Sequence, residues 1–97
     1  MDDQASQRTP PVADVDDAAI ESTMLRLLGE RAVTSSICPS DVARAIGGDD
    51  WRDLMKDTRR VARRLVGDGR VQITQGGEVV DPFVVRGPIR IRWTRED

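Results

Sequence analysis

Apolar positions along this chain recur first at helical spacing and later at strand spacing. Ile20, Met24, Leu27 and Leu28 stand at i, i+4, i+7 and i+8, one face of a helix running from Asp16 or Asp17 to Gly29. Asp14, Asp16 and Asp17 sit where an N-cap and first-turn carboxylates are favourable, and Gly29 suits a helix end. Val33 and Ile37 are the next apolar anchors, and Ser35–Cys38 can form a short strand. Pro39 then opens a second helix, because proline is tolerated at the first helical position. Val42, Ala43 and Ile46 line this helix and Gly47-Gly48 ends it. Two turns are marginal alone, so the element depends on tertiary packing.

A third helix is predicted over Asp50–Leu65, with Asp50 as cap and Asp53 three residues on, a capping box with a shorter acid. Trp51, Leu54, Met55, Thr58, Val61, Ala62 and Leu65 share its broad apolar face, and Gly67 and Gly69 bracket its exit. Strand alternation takes over at Arg70. Val71 and Ile73 alternate with Gln72 and Thr74, and Gly76-Gly77 permits a tight turn. In a last strand Ile89, Ile91 and Trp93 alternate with Arg90 and Arg92. Val71–Gln75 can pair with Glu78–Val80 or with Ile89–Trp93; the second is expected to dominate, which makes 76–88 one long wing. The order α-β-α-α-β-β predicts an α+β fold. Its form would be a winged helix-turn-helix of three helices and a small antiparallel sheet, over residues 14–95. Residues 1–13 lack apolar periodicity and carry Pro10-Pro11, the composition of a disordered tail.

Charge sharpens this picture. The net charge of −2 divides into −6 over residues 1–51 and +6 over residues 52–95, with Glu96 and Asp97 supplying the remaining −2. A polyanion can be drawn to the second half although the whole chain is mildly acidic. On the third helix Arg52, Lys56, Arg59 and Arg63 form a stripe without an acid, and the next sector mixes Asp53, Asp57, Arg60 and Arg64. The wing and its strands add Gln75, Arg86, Arg90 and Arg92. These eight residues are the candidate nucleic-acid contacts, with double-stranded DNA as the expected partner. An ordinary solvated helix face has the same composition. Asp50, Asp53 and Asp57 line the end of the helix that meets base edges, so contacts to the phosphate backbone are easier to defend than sequence readout.

The alternative is a protein-interaction module that presents the wing to an acidic protein partner. Arginine on the outside of the wing favours the duplex; an outward Phe83, Val84 or Val85 favours the protein.

Other chemistry is sparse. Cys38 is the only cysteine and there is no histidine, which rules out an intrachain disulfide and a zinc site of the Cys/His kind. Cys38 reads as a small buried cap residue, Asp81-Pro82 as a turn, and Trp51 and Trp93 as core or rim. Ser35, Ser36 and Ser40 have no histidine as base, and Gly76-Gly77 lacks the Lys-Ser/Thr of a phosphate loop. The chain reads as a non-enzyme, with no cofactor and no metal. No apolar run precedes the first helix, so neither a signal peptide nor a membrane span is expected, and a soluble cytoplasmic protein follows.

Several short motifs occur in a characteristic order: Ile37-Cys38-Pro39-Ser40-Asp41-Val42-Ala43-Arg44, then Trp51-Arg52-Asp53-Leu54-Met55, then Ile73-Thr74-Gln75-Gly76-Gly77. Val80-Asp81-Pro82 and Gly87-Pro88-Ile89-Arg90-Ile91-Arg92 complete the series. In these motifs the chain resembles, over residues 20–93, a small bacterial family known as a domain of unknown function and regarded as winged-helix-like. The resemblance implies that Pro39, Trp51, Arg52, Gln75, Gly76, Asp81, Pro82, Gly87, Pro88 and Arg90 belong to the family's pattern. It implies no activity.

Overall fold

Helix α1, Asp17–Gly29, begins where a carboxylate can cap it: Asp16 Oδ1 accepts from the Ala19 amide at 2.9 Å. In this computed structural model, which describes residues 15–32 and 35–95, Ile20, Met24 and Leu28 of α1 are buried and Leu27 is half-buried against the same core. The expectations for residues 1–13 lie outside the described residues. Strand β1, Ser36–Ile37, leads into α2, Pro39–Gly47. Cys38 is extended ahead of Pro39, and its amide donates to Asp41 Oδ2 at 2.9 Å, which secures the first turn.

The next segment corrects the sequence reading. Gly48–Leu54 is a 3-10 segment kinked at the non-helical Asp50, and the α-helix proper, α3, starts only at Met55 and runs to Gly67. The expected capping box of Asp50 and Asp53 is not formed; Leu54 precedes α3 with no side-chain cap. The reason is packing at a close approach. In a 3-10 turn residues i and i+3 eclipse, which sets Trp51 and Leu54 together over α2. A Cβ on Gly47 would stand 2.9 Å from Leu54 Cδ1 and 3.7 Å from Trp51 Cβ. A side chain at 47 would have to displace the Leu54 Cδ1 methyl.

Helix α3 buries Thr58, Val61, Ala62 and Leu65. It ends in a Schellman motif, with the Arg70 amide on Leu65 O at 3.0 Å and the Gly69 amide on Val66 O at 2.9 Å. Thr58 is fully buried and, among the described residues, its hydroxyl has no hydrogen-bond partner. An unsatisfied buried hydroxyl costs roughly 1–3 kcal/mol, so the near-isosteric Thr58→Val is expected to stabilise the domain by about 1 kcal/mol. A thermal melt should show the midpoint rising by about 4–8 °C. A falling midpoint would mean that the hydroxyl bonds a carbonyl of the preceding turn.

Strands β2, Val71–Gln75, β3, Glu78–Val79, and β4, Arg90–Trp93, join β1 in one antiparallel sheet of order β1-β4-β2-β3. Gly76 and Gly77, at φ 61° and 86°, make the two-residue hairpin between β2 and β3. The two pairings weighed from sequence both form. β2 meets β4 from Val71↔Trp93 to Thr74↔Arg90 and meets β3 at Thr74↔Val79 and Gln75↔Glu78. A strand has two hydrogen-bonding edges, so these partners never competed. The expected single wing over 76–88 is therefore a tight hairpin followed by a loop. In that loop the Asp81 side chain accepts from the Phe83 amide at 2.9 Å and its carbonyl accepts from the Val85 amide at 3.1 Å.

The sheet and the helices enclose one core of Ile20, Met24, Leu28, Ile37, Val42, Val61, Ala62, Leu65, Val71, Ile73, Ile89 and Ile91. The architecture is α+β.

Candidate functional site

The eight residues nominated from sequence end up in different roles. Arg52 is exposed on the 3-10 segment and its guanidinium lies 4.5 Å from the centre of the Trp51 ring. Lys56 is exposed on the first turn of α3. Arg59 is half-buried and donates to Gly87 O at 2.8 Å, and Arg63 lies under the Phe83 ring at 5.9 Å. The loop after β3 thus rests on the stripe that was expected to face a ligand. Gln75 Nε2 donates to Arg86 O at 2.6 Å and to Pro88 O at 3.0 Å, fastening the base of the same loop. The Arg86 side chain is exposed.

Arg90 works in the sheet. Its Nε donates to Ser36 Oγ at 2.8 Å, one terminal nitrogen to Ser36 O and the other to Cys38 Sγ, each at 2.9 Å. This holds the two-residue strand β1 against β4. Cys38 is half-buried rather than fully buried. Arg92 Nε donates to Gln72 Oε1 at 2.9 Å across the β2–β4 pair. Gln75, Arg90 and Arg92 are tied to their own fold through their side chains.

Part of the charge asymmetry is neutralised inside the molecule. Arg60 bridges Asp17 on α1, at 3.0 Å from one nitrogen, and Asp57 on its own helix, at 2.9 Å. Arg64 pairs with Glu21, and Arg70 reaches Glu21 at 3.3 Å. The hydrogen bond from Arg60 holds the Asp17 carboxyl below its ordinary value, and Asp17 and Asp57 hold Arg60 above its own. Glu21 does the same to Arg64 through its hydrogen bond. The Asp57–Arg60 pair was legible as i, i+3; the partners on α1 were not. A shallow cleft lined by Ala18, Glu21, Ser22, Leu25 and Arg70 lies beside this network, and its charged members face each other.

Two features were missed or left open. Arg44 on α2 also lies on Trp51, at 4.4 Å from the ring centre, so one half-buried indole carries two guanidinium groups. On the loop after β3, Phe83 is 74% exposed and Val84 71%, and Val79 on β3 is 54% exposed. Val80 and Val85 on either side pack against the core, so the exposed pair is held on anchored ends. Of the three residues that could have turned outward, Val85 does not.

No described helix is long and apolar enough to cross a membrane. Among curated proteins none matches the chain. Residues 17–94, the span from the first turn of α1 to one residue past β4, match the family described as Protein of unknown function (DUF3253), and the chain belongs to that family.

Proposed function

We propose that this domain is a winged helix that serves as a protein-interaction module and docks its partner on the wing formed by β3 and the loop up to Pro88. The element order, with α2 and α3 joined by the short 3-10 turn, supports the winged-helix reading. The observation that carries the docking reading is the outward Phe83 and Val84. Each large apolar side chain buried by a partner contributes roughly 1.5–3 kcal/mol, and Phe83, Val84 and Val79 lie within six residues. Arg63 beneath Phe83 and the exposed Arg86 add positive charge at the rim. The partner is therefore an apolar segment flanked by carboxylates, which accords with an acidic protein.

A second reading, duplex binding, is favoured by Arg52 and Lys56, which are exposed and make no ion pair among the described residues. Asp49, Asp50 and Asp53 are exposed beside them, which limits that reading to backbone contacts.

One experiment separates the two. Peptides selected from a random displayed library are expected to be acidic and apolar, and Phe83→Ser with Val84→Ser should weaken them by about tenfold or more. Arg52→Gln with Lys56→Gln should leave them unchanged. Labelled duplex followed by fluorescence anisotropy at two salt concentrations supplies the other arm. Duplex binding that survives the wing changes, with a salt slope reduced by about two in the arginine–lysine variant, would replace the docking reading with the second one.

A further inference from the structure

We infer that Arg44, Trp51 and Arg52 form a clamp for a phosphate group, at the corner where α2 meets the 3-10 helix. The site lies apart from the wing and does not rest on the docking reading. Its geometry starts from Gly47, against which Leu54 and Trp51 pack closely at the end of α2. That contact fixes a half-buried indole at the surface. Arg44 reaches it from α2 and Arg52 from the adjoining turn, with guanidinium carbons 4.4 and 4.5 Å from the ring centre. The two carbons are therefore at most about 9 Å apart, and each gains from the ring's quadrupole.

A guanidinium placed over a ring can keep in-plane N–H donors available to another partner. Arg44 and Arg52 are both exposed, and neither donates a hydrogen bond or makes an ion pair among the described residues. This contrasts with Arg60, Arg64 and Arg70, each of which is paired with a carboxylate. Asp49, Asp50 and Asp53 stand on the same segment and are exposed, yet none pairs with either guanidinium. The three carboxylates lower the local potential, so an anion is held here by direct hydrogen bonds from both guanidinium groups rather than by net charge.

The shape of the donor set favours phosphate. A carboxylate is satisfied by one bidentate fork. Two guanidinium groups from different elements, at most about 9 Å apart, offer more donors than a carboxylate can accept, whereas a tetrahedral oxyanion with a higher charge has acceptors for both. The phosphate can be inorganic or part of a small molecule, or it can belong to a nucleic-acid backbone; the clamp recognises the group they share.

Trp51 itself reports occupancy. The chain has two tryptophans, so Trp93→Phe leaves Trp51 as the sole indole. In this background, sodium phosphate is titrated against sodium chloride and sodium acetate at matched ionic strength, with emission as the readout. Phosphate is expected to give a saturable change as the guanidinium groups turn toward the anion. Arg44→Gln and Arg52→Gln should each weaken its midpoint by about tenfold, the factor for losing a charge-assisted hydrogen bond. Both residues are exposed, and an unchanged far-ultraviolet circular dichroism spectrum confirms that the variants fold.

A duplex oligonucleotide, compared at equal phosphate concentration, then identifies the source. A midpoint below that of inorganic phosphate assigns the clamp to a nucleic-acid backbone. No response to duplex, with the response to inorganic phosphate intact, assigns it to small phosphorylated molecules. An equal response to chloride or acetate overturns the inference, as do midpoints that both variants keep. None of these outcomes involves Phe83 or Val84, so failure of the clamp is distinct from failure of the docking reading.

Discussion

Leu65→Ala is expected to lower the unfolding free energy by roughly 2–5 kcal/mol, the range for truncating a fully buried leucine. Leu65 is 0% exposed, sits on the inward face of α3 and belongs to the central core. Removing its branch opens a cavity among side chains from helix and sheet, which cannot all move in to fill it. Leu54→Ala should fall toward the lower end of that range. Leu54 is also buried, but it packs on the corner at Gly47 rather than within the central cluster. Arg59→Ala removes only the bond to Gly87 O at a half-buried site, which is worth about 0.5–1.5 kcal/mol. Urea titration of the three variants checks the order. If Arg59→Ala proves more damaging than Leu65→Ala, the phasing of α3 is wrong and the placement of its outward residues fails with it.

The second large effect is expected at Arg90. Its three bonds reach the Ser36 hydroxyl, the Ser36 carbonyl and Cys38, which together seat β1 on the edge of the sheet. A two-residue strand has few backbone bonds of its own, so the guanidinium supplies much of its attachment. Arg90 is exposed, and solvent weakens each bond, so the three do not add. Arg90→Ala should cost about 1–2 kcal/mol in total. Arg90→Lys should recover less than half of that, because an ammonium cannot reproduce the planar fork. Hydrogen exchange gives the decisive readout. The amides of Ser36 and Ile37 should exchange faster in both variants, while those in the middle of α3 keep their protection. Unchanged exchange at β1 would show that strand pairing with Ile91 and Arg92 is sufficient without Arg90.

These two sites mark the reach of sequence reasoning here. Leu65 was recognisable because its burial follows from a helical period within one element. The alternation that placed Ile73, Ile89 and Ile91 inward is local in the same way. The start of α1 at Asp17, with Asp16 as cap, and the opening of α2 at Pro39 also rest on neighbours a few residues away. The start of α3 did not follow. Residues 50–54 have a helix-like apolar face, but the fit of Trp51 and Leu54 over Gly47 tightens them into a 3-10 turn.

The arginines show the same division more sharply. A helical wheel separates an acid-free stripe from a mixed sector, and that separation is sound as far as one helix goes. It cannot see that Arg59 meets a carbonyl 28 residues later, that Arg60 meets an acid 43 residues earlier, or that Arg90 meets Ser36 across 54 residues. Periodicity, capping and turn chemistry act over one to eight positions, so they specify the helices, the hairpin and the inward faces. The long flexible reach of a guanidinium makes its partner a property of how those pieces are assembled. Packing in three dimensions turned half of a basic face into internal fastening. It left Phe83 and Val84 outside and put two arginines on one indole.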